Sequence, residues 1–220
     1  MKGFGSFDTV VRLREYRSKR ASSWDRSGGN IDWIVIQPGQ TWVLFDENGA
    51  GCIKHFYWTY IDTVEAVRLN IFRGLVLRGF WDGSERPSIE VPFGDFFGVS
   101  NGVVRPIQSL AFTTNPGFGK EQCTSWGFNC YLPMPFVKGG RLELENQGET
   151  DARIWFHIDY ELYEEEESIP PDTGRLHAQW RRESPTQAIA LPEGQTEIKN
   201  LSGDENYVIL DVQGDGQFAG

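Results

Sequence analysis

The sequence predicts an all-β protein, a jelly-roll β-sandwich preceded by a short N-terminal helix. Aromatic residues make up 14% of the 220 residues, with 15 Phe and 8 Trp, and such large rings favour pleated sheets. From residue 33 onwards, short apolar or alternating segments recur, and Gly, Asn, Asp or Pro separate them. No convincing helical periodicity occurs between Gly28 and Ser168, which argues against a βαβ fold.

The first predicted element is an amphipathic helix over Thr9–Arg20, in which apolar residues alternate with charges at helical spacing. Its basic side chains are expected to form a solvated helix face. A polar loop, Ser22–Asn30, follows and contains two adjacent glycines, so it is not expected to form regular structure. Residues 1–30 are therefore predicted to form an N-terminal helix and a polar loop.

The second region, residues 31–200, is predicted to be the first jelly-roll domain. The segment Arg141–Glu145 alternates strictly between charged and apolar residues, as a half-exposed strand does. The predicted strands are Trp33–Ile36, Thr41–Asp46, Cys52–Thr59, Ala66–Phe72, Ser88–Val91, Ile107–Thr113, Arg141–Asn146 and Arg153–Tyr160.

The third region, residues 201–220, is predicted to be the opening strand of a second jelly roll that this sequence does not contain. The strand Tyr207–Val212 precedes a glycine-rich turn, which normally leads into a partner strand. An unpaired edge strand is a liability unless another segment covers it. We therefore expect either a partner chain or a longer protein of which this is the front part.

Charge, cysteine and hydropathy patterns exclude several classes of function. The formal net charge of −10 argues against nucleic acid as a partner. No run of 18 apolar residues is present, so no membrane insertion is expected. The chain has three cysteines, and an odd number favours reduced, buried thiols over a disulfide framework. The three histidines are scattered along the chain, so we predict no metal site and no cofactor. The expected location is cytoplasmic, or exported with a leader that lies outside this sequence.

The best candidate binding residues lie in the polar loop, where Trp24, Asp25, Arg26 and Asn30 combine a stacking ring with hydrogen-bonding groups. This mixture suits the hydroxyls and ring faces of a sugar. An alternative is that Asp25 and Arg26 pair with each other and only hold the loop in shape. Asp82 and Asp95 lie in glycine-containing turns, so we interpret both as turn residues. Asn129 and Tyr131 lie in an aromatic and proline-rich block from which they are able to reach a pocket.

Several segments resemble glycoside hydrolase family 172, a former family of unknown function. The polar loop Ser22–Asn30 resembles the opening motif of that family, and further matching segments follow in order. They are Gly49–His55, Pro87–Pro92, Gly94–Gly98, Asn129–Phe136, Leu176–Arg181 and Gly214–Gly216.

The resemblance implies a double jelly roll similar to viral capsid folds, assembled as trimers or multiples of trimers such as hexamers. Members of the family act on α-linked furanosides, such as fructofuranosides or arabinofuranosides, by a retaining mechanism with two glutamates. Those glutamates belong to the second jelly roll, so no catalytic residue is predicted in this chain.

On this reading, Trp24, Asp25, Arg26, Asn30, Asn129 and Arg181 bind a sugar ligand. A separate chain, or a C-terminal half outside this sequence, then supplies catalysis. The alternative is a non-catalytic structural or sugar-binding jelly roll that self-assembles. A solution mass and a furanoside assay distinguish the two.

Overall fold

The computed structural model describes residues 13–61, 69–117, 125–185, 193–194 and 206–219. Its strands are β1 (Arg17–Ser22), β2 (Ile34–Ile36), β3 (Thr41–Asn48), β4 (Gly51–Thr59), β5 (Leu75–Trp81), β6 (Ile89–Pro92), β7 (Ile107–Gln108), β8 (Phe112–Pro116), β9 (Trp126–Cys130), β10 (Met134–Phe136), β11 (Gly139–Asn146), β12 (Ala152–Leu162) and β13 (Ala178–Gln179). Short helical turns cover Asn70–Gly74, Phe93–Phe96, Ser100–Gly102 and Glu166–Ser168. None of the helices in these ranges is long and apolar enough to cross a membrane.

The strands of the described residues form two sheets, which confirms the predicted all-β sandwich. One sheet has the order β1-β12-β4-β9-β8-β7, with β10 added to β4 and β2 added to β12. The other has the order β13-β6-β5-β11-β3. The strand order is compatible with a jelly roll, because neighbours in each sheet are often distant in the chain.

Aromatic side chains fill the core. Trp58 on β4 is fully buried, and its ring lies 4.3 Å from that of Phe128 on β9 and 4.2 Å from that of Phe93. Leu77 on β5 and Leu144 on β11 come from the other sheet and are equally buried. The high aromatic content is therefore explained largely by packing, and only the exposed rings remain as ligand-binding candidates.

The predicted N-terminal helix is wrong where the structure describes it. Residues 13–16 have no regular structure, and Arg17–Ser22 form β1, which pairs antiparallel with β12 from Arg17 opposite Leu162 to Ser22 opposite His157. The described basic residues are exposed but do not form a helix face, because they lie on or next to this strand, and Arg20 bonds to Asp159 at 2.6 Å across the strands. Charged side chains on an edge strand also discourage pairing with other chains.

The strand predicted at Ala66–Phe72 is also wrong in its described part. Residues 70–74 form a helical turn in which the adjacent residues Ile71 and Phe72 are both buried. Neighbouring residues of a strand point to opposite faces of the sheet, so a strand packed on one face would expose one of them. The chain becomes a strand only at β5, immediately after this turn.

The strand predicted at Ile107–Thr113 is divided into β7 and β8 by a turn. Ser109 makes this turn, since its hydroxyl accepts hydrogen bonds from the N–H groups of Ala111 and Phe112. The aromatic block 126–136 supplies β9 and β10, which the periodicity did not reveal.

The chain divides into two compact units, Met1–Gln179 and Trp180–Gly220. In the second unit, residues 206–219 contain no strand, so the strand predicted at Tyr207–Val212 is not formed. Ile209 and Val212 are 75% and 70% exposed. A strand requires a hydrogen-bonded neighbour, and the described residues provide none here. The domain boundary predicted after residue 200 remains a prediction, because residues 195–205 lie outside the described ranges.

Cys52 and Cys130 are free and buried. Burial raises the pKa of the Cys52 thiol to about 11 and that of Cys130 to about 12. Both are therefore protonated packing residues near neutral pH, while Cys123 lies outside the described residues.

The side chain of Asp82, which follows β5, forms hydrogen bonds to the segment that precedes β11. Its Oδ1 accepts hydrogen bonds from the N–H groups of Val137 and Lys138 at 2.6 and 2.7 Å, and its Oδ2 accepts one from Arg175 at 2.6 Å. Burial raises the pKa of Asp82, but these three donors outweigh it and hold the pKa below its ordinary value. A carboxyl with a lowered pKa stabilises the fold above its ordinary pKa of about 3.9 and loses that contribution as the pH falls.

Replacing Asp82 by Asn is therefore expected to lower the free energy of unfolding by about 1–3 kcal/mol at neutral pH. Asn tolerates the positive φ of 57° at this position, so backbone strain is not introduced. Urea unfolding should show the difference from the unmodified protein shrinking as the pH falls below about 3.9. Asp172→Asn, at an exposed turn residue, is the matched control. An equal loss at low and neutral pH would contradict the assigned role of the charge.

Candidate functional site

The polar loop, predicted over Ser22–Asn30, comprises residues 23–33 in the structure, because Ser22 ends β1 and β2 begins at Ile34. It connects β1 to β2, and both of these strands pair with β12. Ser23 anchors its start, because its N–H donates to the carbonyl of Phe156 at 3.1 Å and its hydroxyl accepts from the N–H of Phe156 at 3.0 Å. Asp32 closes the other end: its Oδ1 accepts from the N–H of Asp25 at 2.7 Å, and its carbonyl accepts from the hydroxyl of Ser23 at 2.8 Å. The loop is thus held at its base by the sheet.

Asp25 organises the interior of the loop. Its Oδ1 accepts hydrogen bonds from the N–H and hydroxyl of Ser27 at 2.8 and 2.6 Å, and its Oδ2 accepts from the N–H of Ile31 at 3.1 Å. The hydrogen bond from the Ser27 hydroxyl, with those from the backbone, lowers the pKa of Asp25, so the carboxylate is charged near neutral pH.

Each of the two adjacent positions in the loop requires glycine for a different reason. Gly28 has a φ of +78°, the left-handed conformation that glycine adopts most easily. A side chain at Gly29 would place its Cβ 2.8 Å from Oδ2 of Asp25, so the backbone passes close to that carboxylate.

Trp24, Arg26 and Asn30 are exposed around this framework. Trp24 is 58% exposed, and the guanidinium of Arg26 lies 5.9 Å from the centre of its ring. Asn30 has a φ of 60°, which asparagine tolerates better than most residues. The alternative in which Asp25 pairs with Arg26 is not the observed arrangement, because the carboxylate of Asp25 accepts hydrogen bonds from Ser27 and Ile31. The loop therefore presents a ring, a guanidinium and an amide on a pre-shaped backbone.

The other acidic residues singled out from the sequence have structural partners. Asp82 bonds to the chain before β11, as described above, and Asp95 forms an ion pair with Arg73. Asp82 lies in the turn after β5, as interpreted from the sequence, whereas Asp95 lies in the short helix Phe93–Phe96.

Asn129 lies on the same sheet as the loop but well away from it. The row of paired residues Ser22, His157, Tyr57 and Asn129 runs across β1, β12, β4 and β9. Three strand spacings of about 4.8 Å separate its ends, a distance of about 14 Å. Asn129 is only 6% exposed, and its amide nitrogen donates to Oγ1 of Thr113 at 3.0 Å.

The amide oxygen of Asn129 faces a group that we call the histidine cluster, formed by His55, His157 and Asp159. Oδ1 of Asn129 lies 3.0 Å from Nε2 of His55, and Nδ1 of His55 lies 3.2 Å from Oδ2 of Asp159. Nε2 of His157 lies 3.9 Å from the same Oδ2. All three side chains are partly exposed on the outer face of the larger sheet.

Electrostatics in the histidine cluster favour a charged carboxylate. Burial raises the pKa of Asp159, but its side-chain contacts with Arg20 and His55 outweigh it and bring the pKa below its ordinary value. Burial, together with the charge of Arg20, lowers the pKa of His157. The cluster therefore contains an anionic oxygen beside an imidazole that is neutral near neutral pH.

Arg181 lies in the second compact unit. It is exposed and lines an open surface depression together with Tyr207 and Val208 of the same unit. Of the six predicted binding residues, the structure groups four in the polar loop, and it places Asn129 beside the histidine cluster.

The histidine cluster was missed from the sequence because His55 lies about a hundred positions before His157 and Asp159. The sequence does contain a pattern that could have indicated it. His55 and Tyr57 are two positions apart on β4, and His157 and Asp159 are two positions apart on β12, so the side chains of each pair lie on the same face of the sheet. Only the register of β4 against β12, with Asp159 opposite His55 and His157 opposite Tyr57, shows that the two pairs meet.

Comparison with protein-family models matches residues 14–178 to the GH172 first beta-sandwich domain. The match covers most of the chain and ends next to the boundary of the first compact unit at Gln179. Comparison with curated proteins found no match.

Proposed function

Because the chain belongs to glycoside hydrolase family 172, we propose that it forms the sugar-contacting first sandwich of an α-furanosidase. The substrate class is a fructofuranoside or an arabinofuranoside, cleaved with retention of configuration. The observation that carries the proposal is the polar loop, which lies within the matched domain and displays Trp24, Arg26 and Asn30 on a backbone fixed by Asp25.

The loop is suited to binding and positioning. An exposed indole stacks on the apolar face of a sugar ring, and a guanidinium and an amide bond to its hydroxyls. Asp25 keeps these groups in place, because both of its oxygens are engaged by the loop itself. A loop ordered before binding loses less conformational entropy when the sugar arrives.

The two catalytic carboxyl groups of a retaining glycosidase lie about 5–5.5 Å apart across the scissile bond. Asp25 and Asp32, the acidic residues of the loop, both accept hydrogen bonds from its backbone. As the resemblance to family 172 implies, we propose that the catalytic pair is contributed by protein surface outside these 220 residues, on a separate chain or a second jelly roll. The exposed apolar run 207–212 supports pairing with such a segment.

The test is an assay of p-nitrophenyl α-arabinofuranoside and α-fructofuranoside with the chain alone and with a co-expressed second sandwich. The second sandwich should carry two glutamates, and a version with both changed to Gln is the control. We expect no turnover by the chain alone, co-elution of the two proteins, and turnover only with the intact glutamates. Separate elution without turnover would contradict the proposal, and turnover by this chain alone would contradict the assignment of the catalytic pair.

A non-catalytic role is the second candidate, favoured by the same exposed apolar run. It predicts a defined oligomer of this chain alone, with sugar binding but without turnover in the presence of the second sandwich. Mass measurement in solution, combined with the assay above, separates the two functions.

A further inference from the structure

The imidazoles of His55 and His157 converge on one oxygen atom, Oδ2 of Asp159. Nδ1 of His55 lies 3.2 Å from it and Nε2 of His157 lies 3.9 Å from it. One ligand atom from each of the three side chains lies within 4.8 Å of the others. Zinc–ligand bonds of about 2.0–2.2 Å require only a small contraction of this triangle around a central ion.

The contacts of Asn129 and His55 leave Nδ1 of His55 beside the Asp159 carboxylate. The amide nitrogen of Asn129 donates to Thr113, which turns its oxygen towards Nε2 of His55. Nε2 of His55 is therefore the donor to Asn129, and Nδ1 of the same ring lies 3.2 Å from Oδ2 of Asp159. In the tautomer protonated at Nε2, the lone pair of Nδ1 faces that carboxylate, and a cation between the two is able to bond to both.

We propose that the histidine cluster is a binding site for a divalent transition-metal ion of the Zn²⁺ type. The ligands are Nδ1 of His55, Nε2 of His157 and Oδ2 of Asp159, and a fourth position is left to water or a ligand. Imidazole ligands select Zn²⁺, Co²⁺ or Ni²⁺ over Mg²⁺ and Ca²⁺. The site is independent of the furanoside chemistry proposed above.

The surroundings of the cluster resemble the supporting residues of metal sites. The hydrogen bond between Nε2–H of His55 and Asn129 fixes the tautomer that leaves Nδ1 free for a metal. Tyr131 stacks on His55 at 4.8 Å and Tyr57 stacks on His157 at 4.7 Å, so both rings are held in orientation. The pairing of β4 with β12 fixes the backbones that carry all three ligands.

Arg20 is the competing cation. Its Nε donates to Oδ1 of Asp159 at 2.6 Å and a terminal nitrogen donates to Oδ2 at 3.1 Å. Its side chain is 56% exposed, so it can move off Oδ2 while its bond to Oδ1 keeps the carboxylate oriented. Because a positive charge beside the site opposes a second cation, Arg20→Gln is expected to tighten metal binding.

The test uses the full 220-residue chain, stripped of metal with a chelator and titrated with ZnCl₂ in a calorimeter. CoCl₂ serves as an optical probe, since bound Co²⁺ reports its coordination in its visible absorption. We expect one ion bound per chain. His157→Ala should abolish the Co²⁺ spectrum, whereas His177→Ala, at an exposed histidine away from the cluster, should leave it unchanged. Circular dichroism confirms that each variant is folded.

Asn129→Ala is expected to weaken binding by about 10–100-fold, as the loss of an outer partner of a histidine ligand does. Absence of binding at millimolar Zn²⁺ would overturn the proposal. Binding that survives His157→Ala would overturn it equally, because the ion would then be held elsewhere. Should His157→Ala fail to fold, Asp159→Asn provides the same comparison with a nearly isosteric side chain.

Discussion

Replacing Asp25 by Ala is expected to lower kcat/KM for an α-furanoside about 10²-fold in the two-part enzyme proposed above. The carboxylate accepts hydrogen bonds from Ser27 and Ile31, so its removal frees the backbone that positions Trp24 and Arg26. A displacement of about 1 Å in positioning groups is sufficient for a loss of this size. The measurement is steady-state kinetics, with Asp172→Ala, at an exposed acidic turn residue, as the matched control.

A double-mutant cycle shows whether Asp25 acts through the ring it positions. If it does, Asp25→Ala and Trp24→Ala should be strongly non-additive, because residues in one structural unit do not contribute independently. Additive effects would mean that Asp25 contacts the substrate by itself. Unchanged kinetics in Asp25→Ala would remove the polar loop from the proposed sugar site.

Replacing Trp58 by Ala is expected to lower the free energy of unfolding by about 3–5 kcal/mol. Trp58 is fully buried, and its ring packs against Phe128 and Phe93 within 4.3 Å. Its removal leaves a cavity where the two sheets meet. Since whole domains are stable by about 5–15 kcal/mol, such a loss leaves little margin.

Urea unfolding measures the Trp58 effect as a lower midpoint with an unchanged slope. Trp42→Ala is the matched control, because Trp42 on β3 is 37% exposed and should change stability much less. Trp58→Phe should cost less than Trp58→Ala, since it keeps a ring and removes an indole N–H that has no hydrogen-bond partner among the described residues. Equal losses in Trp58→Ala and Trp42→Ala would contradict the placement of the core.

The sandwich and several of its strands were predictable because alternation and aromatic content reflect burial of one face. β11 carries the strict alternation at Arg141–Glu145, and the structure confirms it as a strand between β5 and β3. The same approach failed at Arg17–Ser22. A charged segment has no apolar period to distinguish an amphipathic helix from an edge strand. Here the segment is a strand because its backbone pairs with β12 from Arg17 to Ser22.

The sequence predicted the polar loop as a loop, but it did not predict the hydrogen bonds within the loop. Two glycines and an asparagine indicate backbone freedom in any fold, whereas the partner of Asp25 depends on where the chain turns back. The structure selects Ser27 and Ile31 instead of Arg26. Arg26 is thereby left beside the exposed ring of Trp24.

The sequence by itself therefore determined the all-β class and the position of a polar loop with the composition of a sugar-contacting surface. Both follow from local pattern, which side-chain alternation and backbone preference control. Only the tertiary structure decided that β1 is a strand and that Asp25 shapes the loop. It also decided that His55 meets His157 and Asp159, because strand register joins residues that no local pattern connects.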